Sequence, residues 1–421
     1  MPARSLLASL LLLPALVFAG ENWPQFRGPT GDGHSDATGL PVKFGDSEKV
    51  KWKTPIHGKA WSSPVIWGSQ VWLSTANEAG TELSVVTVDK ESGKILRDEI
   101  LFRVAAPQFC HKFNSYASPT PAIEEGRIYV TFGSPGTACL DTKTGQKIWE
   151  RTDFVCNHFR GAGSSPIIWN DLLIMNFDGS DHQFVVALDK KTGRTVWETK
   201  RSVDYKDLDK NGVVQNEGDY RKGFATPHVY EQDGQPILLS SGAKAHYAYD
   251  PRTGKELWRM DELDSHSAAT RPVIGHGLVY IPAGFGKAGL LAIKLGGSGA
   301  LPPESVAWRL KKAVPNKPSV TLLGNVLFAV NDGGIASALD AKTGDIIWSE
   351  RLGGNFSASP ILAEGRLYAG NEEGKFYVFE AGKQFKVLAE NQFPDGFMAS
   401  PAVSGKSLYL RSKTSLYRFD P

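Results

Sequence analysis

From residue 50 to the end, short apolar runs alternate with tight turns rich in Gly, Asn and Asp. The clearest unit is Ala187-Leu-Asp-Lys-Lys-Thr-Gly-Arg-Thr-Val-Trp197, which recurs as Ala338 to Trp348, as Ala248 to Trp258 and, with Cys139 in the first place, as far as Trp149. A degenerate copy, Thr87 to Arg97, ends in Arg instead of Trp. Each copy predicts strand, tight turn, strand. The Asp can accept backbone hydrogen bonds within the turn, and the Gly supplies the positive φ it needs. The Trp falls on the outgoing strand, where a large ring can cover the neighbouring repeat.

A second marker opens each unit: Ser or Thr, then Pro, then an apolar run. It stands at Ser63-Pro64, Ser118-Pro119, Ser165-Pro166, Thr226-Pro227, Ser359-Pro360 and Ser400-Pro401, with weaker forms at Arg271-Pro272 and Lys317-Pro318. Each opening leads through a tight turn to a second β run and then to the Asp-x-x-Thr-Gly hairpin. Four strands per unit at this spacing suit the blades of a propeller. The eighth unit stops after three strands, at Ser415-Leu-Tyr-Arg-Phe419, while Val50-Lys-Trp-Lys-Thr54 is a strand without a turn phrase before it. Pairing the two would close the ring without a free edge. The fold expected is therefore an all-β, eight-bladed β-propeller of four-stranded blades, closed by N- and C-terminal strands in one blade. A seven-bladed ring is the alternative if one weak unit is not a blade. Trp52, Trp149, Trp197, Trp258 and Trp348 are the expected docking residues.

The Ala-x-Asp-x-x-Thr-Gly-x-x-x-Trp phrase resembles the tryptophan-docking motif of the PQQ-like eight-bladed propellers, a superfamily that includes quinoprotein alcohol dehydrogenases and the outer-membrane assembly factor BamB. The resemblance covers about residues 50–421. It implies a fold; the motif is a packing device and does not carry an activity.

Composition refines this. A formal charge of +2 with no basic run gives no footprint for nucleic acid. Arg4 followed by the apolar stretch Leu6 to Phe18 and the small residues before Gly20 reads as a cleaved secretory signal over 1–19. The expectation is an exported protein, periplasmic or extracellular, without a lipid anchor or transmembrane segment. Residues 20–47 read as an irregular segment pinned across the body by Trp23 and Phe26, and 48–421 as the propeller. Of three cysteines, Cys139 falls in a strand, while Cys110 and Cys156 occupy matching places in successive repeats and could form a disulfide.

Most long connections fall on one face: 103–116, 152–163, 176–184 and 202–224. Residues just before an opening should line the mouth of the central channel. His111, Lys112, Asn114 and Tyr116, then His158 and Arg160, are so placed, and nearby connections add Asp178, Asp181 and Lys244. Together they would form an axial pocket for a small anionic or polar ligand; the plainer reading is a solvated mouth whose groups pair among themselves. In the insertion 202–224, Asp207, Asp209 and Asn211 followed by Gly212 match the start of a calcium loop, with Val213, Gln215, Glu217 and Asp219 as further oxygen donors. Gly218 stands at the twelfth place, where such loops carry an acid, so a solvated acidic turn is the alternative. The family's dehydrogenases imply PQQ with calcium, a catalytic Asp and adjacent cysteines. This chain has no adjacent cysteines, so PQQ is not expected and no catalytic residue is assigned. The leading expectation is a monomeric, non-catalytic scaffold for an envelope protein partner. The alternative is a quinoprotein-like oxidoreductase or a small-ligand binder using the axial pocket.

Overall fold

The Asp-x-x-Thr-Gly phrases fold as the turns their chemistry dictates. Asp189 Oδ1 accepts the N–H groups of Lys191 and Thr192 at 3.1 and 2.8 Å and the Thr192 hydroxyl at 2.8 Å, and Gly193 takes φ 72°. Asp141 and Asp340 repeat the pattern. The ladder slips by one residue just after each turn, which twists the outgoing strand.

The computed structural model describes residues 20–421, so the secretory leader expected over 1–19 lies outside the described residues. Eight antiparallel sheets of four strands each form the ring; two of them carry one extra short strand, His34–Ser35 and Gly299–Ala300. Their innermost strands begin at Val65, Ala122, Ile167, His228, Val273, Thr321, Ile361 and Ala402, opening blades one to eight. In the last blade Val50–Pro55 pairs antiparallel with Ser415–Phe419, so strands from both ends of the chain complete one sheet.

Two belts tie the blades together. The outer belt is the docking expected of the tryptophans. Four of the five expected indole N–H groups donate to a carbonyl of the next blade's turn: Trp52 to Lys90, Trp149 to Lys190, Trp348 to Gly382 at 3.0 Å, and Trp197 to Pro251 at 2.9 Å. Three of these rings lie over the turn glycine so closely that a Cβ on Gly93, Gly193 or Gly254 would stand 2.7 Å or less from the ring. Trp308, hidden in the sequence by an irregular preceding turn, docks in the same way on Gly344 and Ala341. Arg97 of the degenerate copy lies over Gly145 and donates to the Lys143 carbonyl, replacing an indole with a guanidinium. Trp258 meets no Thr-Gly turn; Gly299–Ala300 pairs alongside it, and Leu301 joins its cluster.

The inner belt corrects two openings. The N–H of Ser63 donates to Thr120 Oγ1, that of Thr120 to Ser165 and that of Ser165 to Thr226, at 2.9 to 3.2 Å. Arg271 donates to Ser319, Ser319 to Ser359, Ser359 to Ser400 and Ser400 back to Ser63, at 2.9 to 3.0 Å. The second opening is thus Thr120-Pro121 and the sixth is Ser319-Val320, each two residues beyond the pair, Ser118-Pro119 or Lys317-Pro318, that marked it in the sequence. The link from Thr226 to Arg271 is missing because Arg offers no short hydroxyl.

Residues 20–47 form a strap across the face of the short turns. Trp23 exchanges backbone hydrogen bonds with Ile66, Pro24 O accepts from Ile123 N, and Gly33 O accepts from Leu362 N. Arg271 donates to Phe26 O at 2.7 Å, and Arg27 to Val320 O at 2.7 Å. The strap therefore touches the innermost strands of blades one, two, five, six and seven and closes that end of the channel.

Replacing Trp197 by Ala should cost about 3–5 kcal/mol, the range for large core truncations, because the ring is 8% exposed and holds two blades together. Chemical denaturation would report it as a lowered midpoint; an unchanged midpoint would contradict the docking role.

Candidate functional site

The face opposite the strap opens into an axial cavity of about 430 Å³. Its lining includes the inner-belt hydroxyls of Ser63, Thr120, Ser165, Thr226, Ser359 and Ser400, together with Phe26 of the strap. Trp61, Phe113, Phe224, Phe285 and Met398 make apolar walls, and Arg160, Asp219, Lys222, His266 and Lys317 supply charge and polarity. Most of these come from the connections that lead into the innermost strands. Phe26 enters from the strap, which blocks the other end.

The insertion 202–224 furnishes one wall. Its short 3-10 segment, Gln215–Arg221, carries Asp219, and Lys222 follows at once. Lys222 is 2% exposed. Its ammonium donates to the Asp219 carbonyl at 2.6 Å and touches the Asp219 carboxylate. Arg160 grips the same carboxylate through Nε and Nη2 at 3.3 and 3.1 Å. Two cations thus share one acid. Burial and the Arg160 charge lower the pKa of Lys222, while the carboxylate works to keep the amine protonated. Lys317 is held differently, by Glu372 at 3.0 Å and Asp332 at 3.7 Å. His266 packs between Tyr220 and Phe285. Burial and the charges of Lys222, Arg160 and Lys244 push its pKa down to about 4, so it is neutral at ordinary pH.

Of the nine residues read from the sequence as axial, Asn114 and Arg160 line the cavity. The others hold the loops. His158 is buried and accepts the Ser134 N–H at 2.9 Å. Asp178 forms a fully buried fork with Arg201 at 2.7 and 2.8 Å. Asp181 accepts the N–H groups of Asn157 and His182. Tyr116 donates to Gln108 O and Lys244 to Tyr205 O. The His111 ring lies tilted against Phe113, 4.1 Å between centroids, and Lys112 is exposed, its carbonyl accepting from Lys59. Phe26, Trp61, Lys222, Phe285, Lys317 and Met398 were not singled out in the sequence as lining this cavity. Lys222, four residues before Thr226, and Lys317, two before Ser319, carried a signal: each is a polar residue just ahead of an inner-belt hydroxyl.

The calcium-loop donors do not converge. Asp207 is paired with Arg221 at 2.6 and 2.9 Å. Asp209 Oδ1 accepts the N–H groups of Asn211 and Val213, both at 2.8 Å, and Asp219 belongs to the cavity. Asn216, Glu217 and Gly218 all take positive φ, and Gly218 lies so close to Ser180 O that a Cβ would stand 2.2 Å away. Among the described residues no three His, Cys, Asp or Glu side chains gather to hold a metal ion. The disulfide is not formed either: all three cysteines are free, with Cys110 beside Gly161 and Cys156 3.7 Å from His158 Nε2. Burial raises both thiols, to about 11 and 12, which leaves them unreactive.

A family model described as outer membrane protein assembly factor BamB matches residues 42–152, 84–221 and 182–421. The BamB of Legionella pneumophila (strain Paris) is 23% identical over 257 residues, 61% of this chain and 50% of that protein. A quinoprotein ethanol dehydrogenase of Pseudomonas putida is 26% identical over 160 residues, 34% of this chain and 23% of that protein. The matches therefore span half or less of these relatives' own length. Among solved structures, a europium-containing methanol dehydrogenase superposes with TM-score 0.67 at 12% identity, over 95% of this chain and 98% of that one. At that identity the likeness is one of fold.

Stability should fall on acidification. Burial pushes His158 down to about 4 and His228 and His246 down to about 3. The unfolded chain takes up these protons near pH 6.5 and the folded one does not, so stability is complete above that value and is lost below it. By pH 4.5 the loss should reach up to about 2–3 kcal/mol per buried histidine. Thermal unfolding between pH 7 and 4.5 tests this; His158→Gln should lessen the drop, and a flat profile would contradict it. Calorimetry at millimolar calcium should give no binding heat. A heat that Asp207→Ala/Asp209→Ala abolishes would restore the calcium loop.

Proposed function

We propose that this chain, which belongs to the family described as outer membrane protein assembly factor BamB, is a non-catalytic binding propeller of the cell envelope that receives a small ligand in its axial cavity. The observation that carries the reading is the cavity itself: blind below, walled by aromatic rings and bordered by two cations on one acid. Such a pocket has the form expected of small-ligand sites, an apolar wall with a few placed polar groups. The rigid ring around it means that little order is lost on binding.

The donor set does not fit the quinone chemistry that the resemblance implied. Adjacent cysteines are absent from the chain, and the acidic side chains nearest the cavity are already paired, Asp219 with Arg160 and Lys222 and Glu372 with Lys317.

A second reading, an envelope protein partner, is favoured by a different observation. Phe109, Val155 and Leu263 stand 65, 61 and 43% exposed on loops of the face that bears the mouth. Apolar groups so placed suit a contact that covers the cavity.

Thermal-shift screening with small acids, neutral rings and sugars tests the first reading, each hit being titrated against wild type and a Met398→Trp variant that fills the cavity. Hits should raise the midpoint of wild type and leave the variant unmoved. If all hits act equally on both, the cavity is not the receptor.

A further inference from the structure

We infer that the axial cavity selects a singly charged oxyanion, a carboxylate or sulfonate, carried on a flat apolar body, with Arg160 and Lys222 on either side of Asp219 as its clamp. This rests on the reading of the cavity as a receptor and adds to it the charge and shape of the ligand. Arg160 and Lys222 contribute two positive charges and Asp219 removes one, which leaves a single uncompensated charge at the wall. Lys317 adds none, since Glu372 offsets it, and burial holds its second acid neighbour, Asp332, toward the neutral form. A second negative charge on the ligand would therefore lose its water without gaining a partner, which is costly in a buried site.

The donors for one oxyanion are present. Arg160 spends Nε and Nη2 on Asp219, and among the described residues no acceptor is bonded to Nη1. Lys222 gives two contacts to Asp219, and an ammonium has a third N–H to offer. The inner-belt hydroxyls add neutral donors. Ser63, Thr120, Ser165, Thr226, Ser359 and Ser400 all accept a backbone N–H from the neighbouring blade, so each oxygen is oriented. Their own O–H hydrogens meet no acceptor among the described residues, although all six line the cavity. The body of the ligand is set by Trp61, Phe113, Phe285 and Met398, whose surfaces favour a flat ring.

Calorimetry with benzoate, benzenesulfonate, the neutral benzamide and the doubly charged isophthalate tests this on the whole protein. At least one of the two monoanions should bind about tenfold tighter than benzamide, the margin of one charge-assisted hydrogen bond over a neutral one. Isophthalate should bind more weakly than benzoate. Arg160→Gln should lower the monoanion affinity about tenfold and weaken benzamide by clearly less, and retained benzamide binding shows that the cavity is still formed. Asp219→Asn should raise the affinity for isophthalate relative to benzoate, since removing the carboxylate leaves both cations uncompensated. If benzamide matches both monoanions while the Met398→Trp variant abolishes its binding, the charge inference fails and the receptor reading stands. If no probe is sensitive to Met398→Trp, both fail.

Discussion

The ring depends on a contact between each fourth strand and the turn of the blade after it. The indole ring lies flat on a glycine and gives its N–H to a carbonyl in the same turn. The two demands are coupled: the turn needs positive φ, which glycine supplies, and the missing side chain makes room for the ring. A turn with any Cβ would lose both. Two junctions lack such a turn: Gly299–Ala300 lies beside Trp258 instead, and the third and fourth strands of the last blade come from opposite ends of the chain. The second of these is the closure of the ring. There the docking position is Ala389, paired with Val378. Phe44 of the strap lies beside Phe376, Phe393 and Phe419 at 5.4, 6.2 and 4.8 Å, and its N–H donates to Asn391. The closure thus keeps an aromatic plug but takes it from another part of the chain.

The inner belt does for the channel what the indoles do for the rim. Its hydroxyls accept from one blade and stand on the next, so the inner wall is fixed by hydrogen bonds rather than by packing alone. The strap is tied to that wall through charge. Arg27 and Arg271 are fully buried near one carboxylate, Asp32, and burial lowers them to about 10 and 9. Their other partners are carbonyls, the Gln25 side chain, the Thr321 hydroxyl and His228 Nδ1. Lifting the strap would take Phe26 O and the Gln25 side chain away from the buried Arg271 and leave those donors unmet. A channel open at both ends would carry solvent through; with the strap seated, it is a pocket.

Much of the fold was legible because the turn chemistry repeats. The Asp-x-x-Thr-Gly phrase, the blade count and the shared last blade follow from residues whose roles are local. Trp308 was not legible, since an irregular turn replaces its phrase, and two openings were set two residues early because Pro119 and Pro318 imitate the marker. The site was less legible for a physical reason. Position just before an opening brings a residue to the mouth, but whether its side chain faces the axis depends on which partner claims it. Asp178 is claimed by Arg201 and His158 by Ser134, and both turn away. The acids of the insertion looked like metal ligands only while the arginines and lysine that neutralise them were out of sight: Arg160 lies more than forty residues from the loop, and Arg221 and Lys222 lie at its far end.

The same insertion shows why total charge is a poor guide to what a protein binds. The chain as a whole carries +2, a value that suggests no particular ligand. What a ligand meets is the local balance in a place with little water, where one unmatched charge counts for far more than many on the surface. Here the unmatched charge comes from three side chains, Arg160 from one interblade loop and Asp219 and Lys222 from another. The docking phrases that make the chain recognisable lie away from this cavity, and the residues that would decide its ligand lie in the segments that the repeat leaves free. Likeness across the repeats therefore carries the fold to distant relatives without carrying their chemistry, and the chemistry here has to be read from the two loops.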